Sequence, residues 1–508
     1  MSIVSSVITW VLKKRYEQIK AFSLRPHEAQ EAIFRSIVPQ ARETEWGRKY
    51  AFSDIKSIRD FKERVPISTY EDIVPYIDRM MLGEQNILWP TPISWFAKSS
   101  GTTNARSKFI PVSRESLEQC HYKGGKDLIC LYLQNREGTR VLHGKNLAVG
   151  GTFQVHDANP AVRYGDVSAI IMKNLPPWAQ WMRAPRIEVA LMDRWEEKIE
   201  KIARETLDVD VTSLSGVPTW MVVLLQRVME IRGTKNLHDV WPNLEVFLHG
   251  AVSFTPYRDL FKQMIPSPRM SYLETYTASE GFFGIQDDLS LDDEMLLMLD
   301  YGIYYEFVPM EELDRDQPRT LALSEVELNK NYALVISTNG GLWRYLIGDT
   351  VKFTNLSPYR IKVSGRTKHF INTFGEELIV ENAEVAIAAA CIATNSVINN
   401  FTAAPIFMQV NGKGGHEWII EFEQPPDNIE NFNRILDQKL REINSDYDAK
   451  RYQDIALQAP VVHVAPRGTF YEWLKSRGKL GGQNKVPRLS NSREYVEDIL
   501  STQMLFHK

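Results

Sequence analysis

The sequence has few cysteines, no long apolar stretch and almost no excess of either charge. Only three of its 508 residues are cysteines, and Cys120, Cys130 and Cys391 show neither a pairing pattern nor the spacing of metal ligands. Such sparse use predicts buried thiols in a reducing compartment rather than a disulfide framework. The apolar run from Trp220 to Leu225 is far shorter than the ~20 residues that cross a bilayer. A secreted disulfide scaffold and a membrane-spanning protein are therefore both disfavoured.

The balance of charge restricts the partners of the protein. The 60 lysines and arginines nearly match the 64 aspartates and glutamates, and the net charge is −4. A chain without a strong overall field is not expected to bind nucleic acid or to associate stably with an anionic membrane. At the N-terminus, the basic residues Lys13, Lys14 and Arg15 follow the apolar stretch 1–12, which is the reverse of a signal peptide. We expect an amphipathic helix lying on the protein body, and a cytoplasmic protein.

The length and the order of elements predict an α/β protein of more than one domain. At 508 residues the chain exceeds the size at which a single core keeps growing, and alternating strand and helix patterns favour an α/β architecture. From Ser364 onward the pattern changes to a compact α+β set, so we expect a large domain (1–364) and a small domain (365–508), with Gly365 as hinge. Ser113 is expected to cap a helix that runs past Cys120. The other predicted helices are 190–207, 217–232, 380–393 and 429–443, and the predicted strands are 244–249, 302–308, 332–338, 359–363, 367–372, 405–410, 416–423 and 460–464.

A run of hydroxyl side chains around a glycine is the first candidate binding motif. Such a loop turns hydroxyls and backbone N–H groups towards one centre, which is the arrangement that binds phosphate oxygens. Taken alone it could equally be a polar turn, but apolar stretches on both sides and Lys108 behind it favour a phosphate loop. It is not a Walker A loop, because the pattern G-x-x-x-x-G-K-[ST] is absent. The residues of the run are Ser99, Ser100, Gly101, Thr102 and Thr103.

Two later segments supply what else a nucleotide site needs. In the segment from Tyr276 to Gly284, an aromatic ring that could stack on a purine precedes Glu280, a carboxylate that could hold Mg²⁺. In the segment from Gly341 to Asp349, a turn leads into a strand and ends in an aspartate that could bind a ribose. Each segment alone could be an ordinary turn with a solvated carboxylate. Their order along the chain predicts one ATP site.

The three segments resemble the nucleotide motifs of the Gretchen Hagen family of auxin-responsive proteins. These are acyl acid amido synthetases of the adenylate-forming superfamily. The similarity extends to a lead-in segment, Phe61 to Ile73, and to two C-terminal segments, Arg467 to Phe470 and Asn484 to Arg488. It implies a large N-terminal adenylate-forming domain, like those of the acyl-CoA synthetases and luciferases, followed by a small mobile α+β C-terminal domain.

Three positions depart from the pattern of the family. Ala105 stands where the first motif has a glycine, and Thr277 replaces the glycine after the tyrosine. Leu346 replaces an arginine shortly before Asp349, which removes a positive charge near the nucleotide. We identify the chain as a bacterial-type member and do not carry over the substrates of the plant members.

The resemblance implies roles for the residues of the three motifs. The hydroxyls of the first motif and Lys108 would cradle the phosphates of ATP. Glu280 would act in catalysis by holding Mg²⁺ on those phosphates, and Asp349 would bind the ribose hydroxyls. The residues expected to line the adenine are Tyr276, Ala278 and Ser279.

The small domain is expected to contribute to catalysis. Lys485 matches the mobile lysine of the superfamily, a cation placed against the reacting carboxylate and α-phosphate. Arg366 follows the hinge glycine and is expected to contact the ribose or the phosphates. Lys368 would act in a second arrangement of the domains.

Three segments are expected to surround the acyl group, because they lie where superfamily members hold it. They are the helix after the phosphate loop and the stretches that begin at Gly216 and His249. Each could equally belong to the core, since an apolar helix start is often only packing. A tryptophan would make a flat wall for an aromatic or medium-chain acid. The candidate substrate residues are Lys123, Asp127, Leu131, Val217, Trp220, Gly250 and Ala251.

The resemblance implies a ligase that uses ATP and Mg²⁺. Such an enzyme adenylates a small carboxylic acid and transfers the acyl group to an amine such as an amino acid, which forms an amide and releases AMP and pyrophosphate. Two alternatives stay open. One is thioester formation with coenzyme A within the same superfamily, and the other is a non-catalytic nucleotide-binding protein that has kept the fold.

Overall fold

The structure is a computed structural model with two β-sheets in its large part and a smaller α+β unit at its C-terminus. It describes residues 3–99, 108–252, 254, 257–313, 315, 317–366, 370–408, 413–451, 457–477 and 486–506. Among these residues, no helix has both the length and the apolar character needed to cross a bilayer.

Helices form most of the first part of the chain and flank the sheets in the rest. In chain order they are α1 (Ile3–Leu24), α2 (Pro26–Gln40), α3 (Glu45–Lys49), α4 (Ile58–Arg64), α5 (Tyr70–Met81), α6 (Arg114–Ser116), α7 (Tyr122–Asn135), α8 (Val167–Asn174), α9 (Pro177–Trp181), α10 (Ile187–Ala190), α11 (Trp195–Thr206), α12 (Pro218–Arg232), α13 (Arg258–Met264), α14 (Val380–Ala393), α15 (Ile429–Ile443), α16 (Ser445–Arg451), α17 (Thr469–Ser476) and α18 (Glu494–Phe506).

Strands alternate with these helices, as the sequence pattern predicts. In chain order they are β1 (Trp95–Ser99), β2 (Lys108–Val112), β3 (Lys145–Ala148), β4 (Phe153–His156), β5 (Asn159–Gly165), β6 (Arg183–Ala184), β7 (Val211–Gly216), β8 (Val246–Gly250), β9 (Ser271–Ala278), β10 (Gly281–Ile285), β11 (Met295–Leu297), β12 (Ile303–Pro309), β13 (Asn331–Thr338), β14 (Tyr345–Leu356), β15 (Tyr359–Arg366), β16 (Phe370–Ile371), β17 (Leu378–Ile379), β18 (Val397–Ile406), β19 (Gly415–Gln424) and β20 (Val461–Ala465).

The main sheet has eleven strands and two halves of different character. Its order is β12-β13-β14-β15-β11-β10-β9-β8-β7-β3-β6. The half from β6 to β9 is parallel, whereas β9 to β12 pair antiparallel. Parallel strands need helical crossovers that cover both faces, and α11 and α12 lie in the connections around β7. This arrangement brings the carboxyl ends of the parallel strands to one edge of the sheet.

A second sheet of four strands, in the order β2-β1-β5-β4, carries the first motif. Strands β1 and β2 form an antiparallel hairpin in which Ser99 pairs with Lys108. After β2, Ser113 accepts a hydrogen bond from the Ser116 amide, which confirms the predicted helix cap. The helix continues through a π-helical turn, Leu117–His121, into α7.

The first helix, α1, packs on the protein body as predicted. Its Leu12, Ile19 and Phe22 are buried in the largest apolar cluster. On the same helix, Arg15 is only 3% exposed. Its guanidinium donates to Asp127 on α7 and to Asp300, with Nη–Oδ distances of 2.6 Å for each. A basic residue beside the apolar segment thus lies inside the fold.

The C-terminal unit is the expected α+β set. Its sheet has the order β18-β19-β20, and α14 packs against α15 beside it. A second apolar cluster contains both Phe247 of β8 and Phe374 of the C-terminal unit. The Tyr257 hydroxyl also donates to the Thr373 carbonyl at 3.0 Å. The two parts therefore share a packed contact, and the domain boundary near Gly365 stays a prediction.

Most predicted elements match observed ones, but the helix predicted at 190–207 starts too early, since α10 ends at Ala190 and α11 begins at Trp195, and one strand is wrong. The helices predicted at 217–232, 380–393 and 429–443 are α12, α14 and α15. The strand predicted at 405–410 is wrong, because the observed strand, β18, starts at Val397 and ends at Ile406. Residues 409–412 and 367–369 lie outside the described residues. The thiols of Cys120 and Cys130 are buried as expected, and that of Cys391 is partly buried.

Candidate functional site

The carboxyl ends of three neighbouring parallel strands gather several predicted site residues. In the register of the sheet, Gly216 of β7 pairs with His249 of β8, and Gly250 pairs with Thr275 of β9. The chain leaves these strands at Val217, Ala251 and Ser279. Ligands of α/β sheets bind outside the carboxyl ends of the strands. The structure therefore brings the predicted acyl and adenine segments to one edge.

The end of β8 is held in an unusual conformation. A side chain on Gly250 would place its Cβ 2.4 Å from the Thr275 carbonyl oxygen. The next residue, Ala251, is exposed and has φ +70°, a left-handed conformation that costs a non-glycine residue free energy. Backbone strain of this kind concentrates at functional sites, which agrees with the predicted substrate role of this segment.

The β9–β10 hairpin carries the second motif. Ala278 pairs with Gly281, so that Ser279 and Glu280 form the two-residue connection. The side chains of Ala278, Ser279 and Glu280 are partly buried. Glu280 thus stands at the tip of a tight hairpin at the carboxyl edge of the sheet.

A buried hydrogen bond joins the second motif to the third. The Tyr276 hydroxyl donates to Asp349 Oδ2 at 2.7 Å, and the two residues are 6% and 7% exposed. The pairing of β13 with β14 shifts between Ala333 and Val335, and Gly348 in the resulting bulge has φ +96°. A bulge re-aims the side chain beside it, here Asp349 towards Tyr276.

The hairpin of β1 and β2, called the phosphate hairpin below, is described at its base, whereas its tip lies outside the described residues. Ser99 ends β1 and Lys108 begins β2 opposite it. The Lys108 ammonium lies 5.6 Å from the centre of the Tyr70 ring. Other predicted positions lie outside the described residues, namely Ser100, Gly101, Thr102, Thr103, Ala105, Lys368 and Lys485. For Arg366 the structure gives only the backbone, which pairs with Asp349.

The candidate substrate residues on α7 have partners inside the protein. The Lys123 ammonium donates to Asp300 Oδ2 at 2.8 Å, and burial lowers its pKa. The carboxylate of Asp127 is fully buried and accepts hydrogen bonds from Arg15 and from the Tyr301 hydroxyl. Leu131 is 2% exposed in the main apolar cluster. These contacts give all three residues a structural role. Their role in substrate binding stays a prediction.

Trp220 lines a cavity that sequence reasoning did not anticipate. The cavity has a volume of about 270 Å³ and lies between α11, α12 and the second sheet on one side and α16 on the other. The Trp220 ring meets Trp195 edge-on at 4.0 Å between centroids. No sequence motif marks the residues that α16 contributes, because they lie far along the chain from the rest. The charged residues of the lining are Lys98, Asp166, Asp193, Lys198, Asp446 and Lys450.

Two groups near the parallel edge have strongly shifted pKa values. Burial raises the pKa of Glu274, on β9, to about 7. Burial lowers the pKa of His249, on β8, to about 3, and its ring stacks on Phe254 at 4.0 Å. His249 is therefore neutral at physiological pH, as expected for a residue of the wall rather than a charged ligand.

The described residues contain no cluster of three or more acidic, histidine or cysteine side chains that could hold a metal ion by themselves. Glu280 can supply one carboxylate. Mg²⁺ is commonly bound by one or two carboxylates together with the phosphates of a substrate and water. The donor set fits a metal ion that arrives with a nucleotide.

Family models match three successive parts of the chain. They are the GH3 family N-terminal domain at residues 15–270, the central domain at 296–366 and the C-terminal domain at 381–494. The chain belongs to the GH3 family.

Two relatives of this GH3 protein come from Arabidopsis thaliana. It is 23% identical to the indole-3-acetic acid-amido synthetase GH3.3, over 90% of this chain and 88% of that one. It is 22% identical to the 4-substituted benzoates-glutamate ligase GH3.12, over 95% of this chain and 96% of that one.

Two solved structures share the fold of the GH3 chain. One is the AtGH3.15 acyl acid amido synthetase in complex with 2,4-DB, with a TM-score of 0.63, 18% identity and coverage of 97% and 96% of the two chains. The other is a 2-hydroxyisobutyryl-CoA ligase, with a TM-score of 0.57, 13% identity and coverage of 97% and 93%. The fold is thus the mixed α/β fold of adenylate-forming enzymes, with a large N-terminal and a smaller C-terminal domain.

Proposed function

We propose that the protein is an ATP-dependent ligase that adenylates a small carboxylic acid and transfers its acyl group to an amine, such as an amino acid. The observation that carries the proposal is the buried Tyr276–Asp349 hydrogen bond, which links two nucleotide motifs of a GH3 chain beside the hairpin that holds Glu280. The names of its relatives support the class of reaction, since they include an amido synthetase and a glutamate ligase.

The proposed nucleotide site uses residues from three segments. Asp349 binds the ribose hydroxyls, and its hydrogen bond with Tyr276 fixes the direction of the carboxylate. The phosphates lie against the hydroxyls of the first motif, Lys108 and Arg366. Glu280 holds the Mg²⁺ that neutralises the phosphate oxygens. The adenine is lined by Tyr276, Ala278 and Ser279.

In the first half-reaction, a carboxylate oxygen of the acid attacks the α-phosphorus of ATP. The new O–P bond forms as the bond to pyrophosphate breaks, and pyrophosphate leaves with the electron pair. Both reactants are anions that repel each other, so positioning and charge neutralisation supply most of the rate. No proton has to be removed in this step. Lys485 would place its ammonium against the carboxylate and the α-phosphate.

In the second half-reaction, the nitrogen of a neutral amine attacks the carbonyl carbon of the acyl adenylate. The C–N bond forms, the C–O bond to the phosphate breaks, AMP leaves with the electron pair, and the amine nitrogen loses a proton. We propose that Val217, Gly250 and Ala251, at the carboxyl edge of the sheet, hold the acyl group. The relatives are named for indole-3-acetic acid and 4-substituted benzoates, so acids of that size are the first to test.

Acid-dependent ATP–pyrophosphate exchange tests the proposal. A panel of small aromatic and aliphatic acids is offered one at a time, and at least one should support exchange. Mass spectrometry of reactions with mixed amino acids and coenzyme A then distinguishes an amide from a thioester. Exchange with none of the acids would overturn the proposal and favour a non-catalytic nucleotide-binding protein, whereas a thioester product would favour the coenzyme A ligase.

The catalytic lysine gives a sharper test. Lys485→Ala should lower the exchange rate on the order of 10²–10³-fold, because one cation that stabilises the transition state is lost. Lys475→Ala is the control, since its ammonium is on the exposed surface of α17 beside Glu472. Unchanged exchange in the Lys485 variant would contradict the assignment.

A further inference from the structure

The cavity beside α16 lies next to the candidate site but is not part of it. It is bordered by Lys98, which directly precedes Ser99 at the base of the phosphate hairpin, and by Gly151, which follows β3. Strand β3 is parallel to β7 and belongs to the same carboxyl edge. A molecule in the cavity would thus approach the proposed adenylate from the side of the C-terminal unit.

Lys450 supplies a buried cation that makes no direct contact with a carboxylate of the described chain and feels Asp446 only over a longer distance. Its side chain is 8% exposed, and its ammonium lies 3.9 Å from the centre of the Trp220 ring. Among the described residues, that ammonium makes no ion pair and no hydrogen bond to a carboxylate. An aromatic face only partly offsets the loss of water around a charge. The arrangement suits an anionic group of a ligand placed in the cavity.

Asp446 supplies the opposite charge one helical turn earlier on α16. Its carboxylate is partly buried, and within the described part of the chain it accepts no hydrogen bond. Burial raises its pKa to about 6, so it is still mostly ionised at neutral pH. The buried Lys198 ammonium, by contrast, donates to the Gly150 carbonyl, and the exposed Asp166 carboxylate accepts from the Thr152 amide at 2.6 Å.

Lys450 and Asp446, without a direct contact between them, therefore present one cation and one anion to the same small space. Ligand sites of drug-sized molecules measure roughly 300–1,000 Å³, so a cavity of about 270 Å³ suits a smaller molecule. Part of its lining is formed by the aromatic side chains of Phe153, Trp195 and Trp220. A small zwitterion matches this combination of size and charge.

We propose that this cavity binds the acceptor α-amino acid, with its carboxylate at Lys450 and its ammonium at Asp446. This inference rests on the proposed function, and it assigns the acceptor to residues outside the nucleotide motifs. The ammonium must lose a proton to solvent water before the amine attacks the adenylate, so the contact with Asp446 belongs to the bound acceptor and not to the attacking amine.

A comparison of acceptors with and without a carboxylate tests the site. The pairs are L-phenylalanine with phenethylamine and L-alanine with ethylamine. Lys450→Met should lower kcat/KM for the amino acid by about 10- to 100-fold relative to any change in ATP–pyrophosphate exchange, because a charge-assisted contact is lost. The kcat/KM for the amine should change little, so the preference for the amino acid disappears. Lys450→Arg, which keeps the cation, should retain part of that preference.

Two further variants separate specific from general effects. Asp446→Asn should weaken binding of amino acid and amine alike, because both carry the ammonium. Lys201→Met is the control, since this lysine is on the exposed face of α11 and pairs with Glu197. If Lys450→Met keeps the preference for the amino acid, the proposal is wrong. It is also wrong if that variant instead raises the KM of the carboxylic acid in the exchange assay.

A binding measurement distinguishes failure of the site from failure of the proposed function. L-phenylalanine should raise the Tm of the parent protein but not that of Lys450→Met, since a ligand stabilises only the protein that binds it. This shift together with no exchange for any acid would refute the proposed function and leave the site intact. Exchange in the parent without any discrimination between amino acid and amine would refute the site alone.

Discussion

At the scale of single residues, Asp349 shows how the chain directs one carboxylate. A regular strand would alternate its side chains between the two faces of the sheet. The bulge at Gly348 breaks this alternation. The Tyr276 hydroxyl, which lies on a different strand, then donates a hydrogen bond to the Asp349 carboxylate. The direction of Asp349 thus depends on a backbone irregularity and on the hydrogen bond from Tyr276.

Removing that hydrogen bond tests its part in nucleotide binding. Tyr276→Phe should raise the KM for ATP in the exchange assay by about 10- to 100-fold, because hydrogen bonds to charged groups contribute roughly 1.5–3 kcal/mol. Tyr272→Phe is a matched control on the same strand, since its buried hydroxyl has no hydrogen-bond partner among the described residues. Equal KM values for the two variants would contradict the role of Tyr276.

At the scale of elements, α7 and β10 lie against each other with no room for an extra methyl group. A Cβ on Gly124 would lie 2.4 Å from Cδ2 of Phe282, whereas a Cβ on Gly125 meets nothing within 4 Å. The Phe282 amide also donates to Cys120 Sγ at 3.1 Å. Contact between the helix and the hairpin of the second motif thus requires one of the two adjacent glycines.

The two glycines form a matched pair for a stability test. Gly124→Ala should lower the free energy of unfolding by about 1–3 kcal/mol, because overpacking outweighs the gain in helix propensity. Gly125→Ala should raise it by up to about 1 kcal/mol, since alanine favours a helix and the position is open. Urea denaturation of both variants measures the difference. A stabilised Gly124 variant would show that α7 is free to move away from β10.

Sequence patterns predicted elements well where local signals agree. The cap at Ser113 and the bounds of α14 and α15 depend on residues a few positions apart. The strand predicted at 405–410 is misplaced, because most of those residues lie beyond the end of the observed strand at Ile406. The observed β18 begins among polar residues, and Asn399 there donates to Glu421 on the neighbouring strand at 2.7 Å. A partner that far away in the chain is not visible in local periodicity.

At the scale of the whole molecule, the parts of the candidate site differ in how far sequence could predict them. The nucleotide motifs are short and contiguous, so their order predicts one site, and the Tyr276–Asp349 hydrogen bond joins two of them. The cavity combines Lys198 and Trp220 with Lys450, which the fold brings together because α16 lies across the cavity from α11 and α12. No short pattern contains that information.

Substitution of the buried Arg15 tests how strongly its ion pairs attach α1 to the rest of the large domain. Arg15→Met should lower the free energy of unfolding by about 3–5 kcal/mol, because the buried carboxylate of Asp127 loses its cation and that of Asp300 keeps only Lys123. Against the effect of burial, Arg15 and Lys123 hold the pKa of Asp300 below its usual range in the folded protein, so the stability from this pairing is lost as pH falls through that range. The deficit of the variant should therefore be smaller at about pH 3 than at pH 7. Arg35→Met, at an exposed pair with Glu31, should change stability by less than about 0.5 kcal/mol.

The same arginine has a consequence for synthesis of the protein on the ribosome. Asp300 follows Arg15 by 285 residues, and at about 5–20 residues per second roughly 15 to 60 s pass between the two. During that time the apolar face of α1 has no completed surface to cover it. Helix α1 can meet α7 well before Asp300 is made, so its docking is completed in two steps that are separated by most of the synthesis of the large domain.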